Sequence, residues 1–164
     1  MQYVQTYLYD NKMEIQILDT SITTLRNRQV YARPVTIYQG IDNPIQIVMK
    51  NQDQKPVNLT GYAVQADIQD PVNRVTVESF AVVFSNITLG RGSFIIDKTT
   101  ANSLEQRNYK ITFKTIKTSD NTERPVYVDD NYGAPIDLVV LPAYYSSTEP
   151  APGVDESVLD GGTL

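Results

Sequence analysis

Val64-Gln65-Ala66-Asp67-Ile68-Gln69 alternates apolar and polar residues with a period of two. That period marks a β-strand with one dry face and one wet face, because successive side chains leave a pleated strand on opposite sides. The pattern extends outward in both directions. Upstream, Ile45, Ile47 and Met49 alternate with Gln46, Val48 and Lys50. Downstream, Val75 and Val77 alternate with Thr76 and Glu78, and Phe80, Val82 and Phe84 continue the run. Phe94 and Ile96 share one face, as do Tyr109, Ile111 and Phe113. Residues 136–141 form a last apolar run, ended by Pro142. Arg33-Pro34-Val35-Thr36-Ile37-Tyr38 reads as a strand with proline at its start, where a missing N–H costs least.

Turn signals separate these runs about every ten residues. Gly40, Gly61, Gly90 and Gly92 are the expected turn glycines, joined by Asp70-Pro71-Val72-Asn73 and Asp120-Asn121. Residues 99–104 read as one helical turn that tucks Leu104 inward. Seven or eight short strands in residues 33–141, with no convincing long helix, make the chain all-β. An antiparallel two-layer β-sandwich explains the alternation, and a barrel is the alternative. The expected organisation is an N-terminal arm over residues 1–32, with one or two short strands around Tyr3–Tyr9 and Ile15–Ile17, a sandwich over 33–142, and a C-terminal tail over 143–164. A helix over residues 21–29 is weakened by Thr23 and Thr24.

The 164-residue chain has no His and no Cys. A Ser-His-Asp triad, a Cys nucleophile, a disulfide and a Cys/His zinc site are therefore excluded. The net charge of -5 offers no basic footprint for nucleic acid. Much of the acidity lies in the tail, where Glu149, Asp155, Glu156 and Asp160 have no basic neighbour after Ser146; without them, 15 acidic residues face 14 basic ones. No apolar run approaches the ~20 residues that span a bilayer, and Met1-Gln2-Tyr3-Val4-Gln5 does not read as a secretory signal. Neither a membrane nor a nucleic-acid partner is expected.

Three constellations have chemical readings beside plainer ones. Asp129, Asp130 and Asn131 are oxygen-rich, but lack the spacing of a calcium loop and read as a turn. Gly90-Arg91-Gly92 lacks the lysine and following helix of a phosphate loop. Asp67, Glu78 and Asp97 sit among strand residues, which places them on solvated faces rather than in a glycosidase pair. No catalytic residue, metal site or cofactor is expected. The sequons at Asn58-Leu59-Thr60 and Asn86-Ile87-Thr88 read as turns. The interface candidates are Tyr3, Tyr7, Tyr9, Ile15, Ile17, Tyr144 and Tyr145, since tyrosine offers both apolar area and a hydroxyl. Loss of residues 1–29 is expected to leave a folded body that assembles less well.

Three stretches carry a family resemblance. They are Val35-Thr36-Ile37-Tyr38-Gln39-Gly40 with Asn43-Pro44-Ile45-Gln46-Ile47, then Pro56-Val57-Asn58-Leu59-Thr60-Gly61-Tyr62-Ala63-Val64-Gln65-Ala66, and then Gly92-Ser93-Phe94-Ile95-Ile96-Asp97 through to Asn108-Tyr109-Lys110-Ile111-Thr112-Phe113. Together they resemble the immunoglobulin-like domains of tailed-bacteriophage virion proteins, especially the N-terminal domains of baseplate upper proteins. Leu59-Thr60-Gly61 matches the family's step into an inward-facing strand, whereas Asn108-Tyr109 replaces the frequent Gly-Tyr. The similarity covers residues 35–117, roughly half the chain. It implies a non-enzymatic structural or connector protein of the tail, baseplate or neck, made in the host cytoplasm and carried in the virion. Its implied partners are further copies of itself and other phage tail or neck proteins. A carbohydrate- or cell-surface-binding sandwich is the alternative, with Tyr38, Tyr62, Tyr127 and Tyr132 as candidate contacts.

Overall fold

The computed structural model describes residues 11–17, 34–126 and 136–143. In chain order the strands are β1 (Asn11–Gln16), β2 (Val35–Tyr38), β3 (Asn43–Lys50), β4 (Tyr62–Asp70), β5 (Val75–Ala81), β6 (Val83–Asn86), β7 (Arg91–Ile96), β8 (Asn108–Lys117), β9 (Glu123–Val126) and β10 (Ile136–Leu141). One short helix, α1 (Lys98–Ser103), and a 3₁₀ turn at Ile87–Leu89 complete the described elements.

The strands form two sheets, one ordered β1-β3-β7-β6 and the other β2-β10-β8-β4-β5. In the larger sheet β8 pairs with β10 through residues 108–111 and with β9 through residues 113–116. The all-β sandwich is therefore present, and the sheets do not close into a barrel. Both sheets are mixed, which corrects the expected purely antiparallel arrangement. β1 runs parallel to β3, and β10 runs parallel to β2. Alternation reports which face of a strand is dry; it carries no information on the direction of the neighbouring strand.

The core is the layer between the sheets. Ile45, Ile47 and Met49 of β3 face Val64, Ala66 and Ile68 of β4 and Tyr109, Ile111 and Phe113 of β8, all buried. The Phe94 ring lies 5.6 Å from Phe80 and 6.1 Å from Phe113, the latter edge-on, so it wedges into the facing sheet. Such ring pairs add about 0.5–1.5 kcal/mol beyond the burial of area. The expected helical turn is α1, capped by Asp97 at its start and followed by buried Leu104.

Asn11–Gln16 lies inside the segment expected to form an arm with one or two short strands; it is a strand, and it belongs to the smaller sheet of the sandwich. Met13 and Ile15 are buried in the chain's own core, and Ile17 packs against it. Ile15 is thus occupied by its own chain, and removing residues 1–29 would strip a strand from the sandwich. The expected helix over 21–29 and the tail beyond Ala143 lie outside the described residues.

The run from Val75 to Phe84 is not one strand. The chain leaves the larger sheet after Ala81 and enters the smaller one at Val83, with Val82 alone between them. The Val82 amide donates to Val64 O at 2.9 Å, and its side chain turns into the core. Such a switch forms a corner of a sandwich. It also explains Gly92, which is a buried strand residue of β7 rather than the expected turn glycine. A Cβ on Gly92 would stand 2.7 Å from Val82 Cγ1 and 3.0 Å from Val83 O. Gly40, Gly61 and Gly90 do occupy turns with positive φ. At Gly90 a Cβ would also meet Met49 O at 2.8 Å and Val57 O at 2.9 Å, so this turn is closed to side chains twice over.

Gly92→Ala is expected to cost about 1–3 kcal/mol through overpacking at the sheet switch. Adding Val82→Ala should recover part of that loss relative to the Val82→Ala single variant. Urea unfolding of the four proteins measures the coupling, and strict additivity would contradict this packing.

Candidate functional site

A polar cluster joins the end of β4 to the start of β8. Asp70 closes β4, and its carboxylate organises the turn that follows. It accepts hydrogen bonds from the Val72 amide at 2.9 Å and from Asn73 Nδ2 at 2.7 Å. Arg107 places its guanidinium across both carboxylate oxygens, at 2.9 and 2.7 Å. The same guanidinium donates through Nε to Glu105 at 2.8 Å and stacks 4.4 Å over the Tyr109 ring. The Tyr109 hydroxyl in turn accepts from the Glu105 amide at 3.0 Å.

This geometry sets the charge states. The Arg107 guanidinium holds the Asp70 carboxyl far below the usual aspartate range, helped by the turn hydrogen bonds. Asp70, and then Glu105, push Arg107 further toward its charged form. A carboxylate with both oxygens occupied and so low an affinity for protons is poorly suited to acid–base work near neutral pH. The cluster is a clamp that fixes the β4–β5 turn.

The other acids flagged in the sequence also serve the fold. Asp97 accepts the Thr100 amide at 2.7 Å as the cap of α1, and that bond lowers its proton affinity. Asp67 accepts from Ser79 Oγ at 2.6 Å and from Gln65 at 2.7 Å. Glu78, next to Ser79 in β5, projects to the opposite face of the sheet from Asp67. Asp67 and Glu78 therefore do not converge into a glycosidase pair. Among the described residues no group of three acids, His or Cys is placed to hold a metal ion. Asp129, Asp130 and Asn131 lie outside the described residues.

Both sequons are local turns. Asn58 accepts from the Thr60 amide and hydroxyl at 3.0 and 2.6 Å. Asn86 accepts from Thr88 Oγ1 at 2.8 Å and from the Leu89 amide at 3.2 Å. Arg91 opens β7 on the outer face of the smaller sheet. There it borders, with Lys12, Gln46, Ser85 and Ser93, an open depression of about 410 Å³. Its lining offers polar contacts but no nucleophile paired with a base. Tyr38 and Tyr62 are half-buried, while Tyr3, Tyr7, Tyr9, Tyr127, Tyr132, Tyr144 and Tyr145 lie outside the described residues.

Sequence reading missed the two sandwich margins. At one, β1 and β2 are tied by a hydrogen bond from Asn11 Nδ2 to Thr36 O at 2.9 Å. At the other lie β5 and β6; β1, β2, β5 and β6 each end a sheet, and no described strand pairs with their outer edges. Val72, Val75 and Val77 are exposed beside that second margin, as is Val83 of β6. The run of valines was visible in the sequence, but alternation did not show which of them stay exposed.

The pH dependence of the clamp has a definite sign. Because the folded carboxyl of Asp70 binds protons more weakly than an unfolded one, its contribution is complete above the ordinary aspartate value of about 3.9. It is lost as pH falls below that value toward the lower folded one. Urea midpoints measured from pH 6 down to pH 2.5 should therefore fall less steeply in Asp70→Asn than in the native chain. Equal slopes would remove Asp70 as a source of acid sensitivity.

No family model matches this chain, and no curated protein matches it. Among solved structures, the chain is similar to the N-terminal domain of phage TP901-1 ORF48, with a TM-score of 0.50 and 9% sequence identity. The match covers 81% of this chain and 98% of that one, so what the two share is the fold of nearly the whole phage domain.

Proposed function

We propose that this chain is a non-enzymatic structural or connector component of a tailed-phage virion, in its tail, baseplate or neck. The observation that carries this reading is the fold likeness to the ORF48 domain, which extends over 98% of that domain. The sequence resemblance to immunoglobulin-like baseplate domains points the same way. The chemistry is compatible: Asp70 and Asp97 are engaged in a turn and a helix cap, and the chain contains neither His nor Cys.

In this role the chain assembles with copies of itself and with other virion proteins, and it travels in the particle after synthesis in the host cytoplasm. The sandwich supplies a rigid body, and its edges supply backbone donors and acceptors for neighbours. Nucleic acid and membrane are not among its partners. The carbohydrate-binding alternative would draw on Tyr38 and Tyr62, which are half-buried against the sandwich.

Protein mass analysis of purified particles, with immunogold labelling of the same chain, tests the proposal. The expected result is a fixed copy number per particle and label confined to the tail or neck. A chain made during infection but absent from particles would overturn it. A glycan array probed with the purified protein should show no specific signal, and saturable binding to one glycan would favour the alternative.

A further inference from the structure

At the β5 margin the outer edge of the larger sheet has no described partner strand. β5 reads Val75-Thr76-Val77-Glu78-Ser79-Phe80-Ala81, with one charge, no lysine and no proline. Of the usual guards of a sheet edge, the seven residues of β5 lack lysine, proline and extreme shortness; the pairing with β4 shifts register between Ile68 and Gln69, opposite Val77, and Glu78 stands opposite buried Ile68. β6, at four residues, is guarded by its length. Val75 and Val77 of β5 are 51% and 39% exposed, and Val72 in the preceding turn is 75% exposed. The Asp70–Arg107 clamp holds that turn in place, so the edge is presented rigidly rather than left to fray.

The same chain carries a segment with matching chemistry. Gln2-Tyr3-Val4-Gln5-Thr6-Tyr7-Leu8-Tyr9 has no charged residue, no proline and no glycine, and it is rich in the aromatic and β-branched residues that strands favour. Eight such residues span about 26 Å as a strand, close to the roughly 23 Å of seven-residue β5. As a strand it would carry Tyr3, Tyr7 and Tyr9 on one face, and these supply apolar area to cover the exposed valines.

Paired along β5 over all eight residues, this segment would not reach the edge of its own molecule. It joins the sandwich at Asn11, in β1, on the β1/β2 margin. β6 and β5 lie at the opposite margin, and β6 is three strand positions away across the smaller sheet. That separation is about 14 Å at ordinary strand spacing, whereas the two steps from Tyr9 through Asp10 to Asn11 span about 7 Å.

We propose that residues 2–9 of one copy add as a strand to the free edge of β5 in a second copy. The inference deepens the self-assembly part of the proposed function and depends on that part. The contact is head-to-tail: each molecule donates at its β1 margin and accepts at its β5 margin. It closes into a ring if the rotation between copies allows, and otherwise propagates. Backbone pairing provides the adhesion, and the valine–tyrosine contacts choose the register.

Two kinds of variant test it in the full-length chain. Val77→Lys, with Val75→Lys as an independent second choice, charges the acceptor edge at exposed positions and should leave the fold unchanged by circular dichroism. Thr6→Pro removes a ladder N–H from the donor. Native mass spectrometry and sedimentation velocity should show each variant alone as a monomer, with self-association weakened about tenfold or more. An equimolar mixture of Val77→Lys and Thr6→Pro should form a heterodimer and stop there, because it contains one intact donor and one intact acceptor. Variants that assemble like the native chain would overturn the strand addition while leaving self-assembly standing. A mixture that yields no heterodimer would also overturn it. A native chain that stays monomeric at high concentration would overturn both this contact and self-assembly, leaving the virion role to be judged by particle content.

Discussion

Two sheets are held apart by a single layer of side chains, and that layer excludes water. Ile37, Ile45, Ile47, Ile68, Ile111 and Leu138 are each almost wholly buried in it. Full burial of a large aliphatic side chain is worth about 1.5–3 kcal/mol, so this layer outweighs any peripheral contact in the described structure. Phe94 crosses it to meet Phe80 and Phe113, which fixes how the two sheets sit over each other. Turns, caps and ion pairs then act at the rim of a body whose position is already set.

The rim is where the polar chemistry is concentrated, and it is largely architectural. Asp70 is bound by Arg107 and by its own turn, Asp97 by the first turn of α1, and Asp120 by the Thr122 amide. Lys50–Glu14 ties β3 to β1, while Lys110–Asp137 ties β8 to β10. These exposed pairs add little stability singly, but they favour particular neighbours and registers. Among the described residues, Asp70, Asp97 and Asp120 are thus committed to turns and a cap.

The two margins have unequal fates. One is drawn together through Asn11 and Thr36, while the other is created by the passage of the chain from one sheet to the other at Val82. Here the two strands that flank the switch, β5 and β6, each end a sheet. Gly92 is the local requirement of that passage, because its missing side chain is what lets Val82 enter the core.

The alternation at Ile45–Met49, Val64–Ile68 and Tyr109–Phe113 correctly identified the inward face of each strand, because a period of two is a direct consequence of the pleat. The bounds of β10, the inward turn of Leu104 and the positive-φ turns at Gly40, Gly61 and Gly90 were legible for similarly local reasons. Strand direction was not legible, nor the membership of Asn11–Gln16 in the sandwich, nor the corner hidden within residues 75–84. The same was true of the Asp70–Arg107 pair, whose partners lie 37 residues apart. The sequence by itself determined which side chains must be kept from water, since that depends on each residue and its near neighbours. Tertiary structure alone decided which strands meet, which acids find a cation and which edge stays open, because those outcomes depend on distances through space that the order of residues does not encode locally.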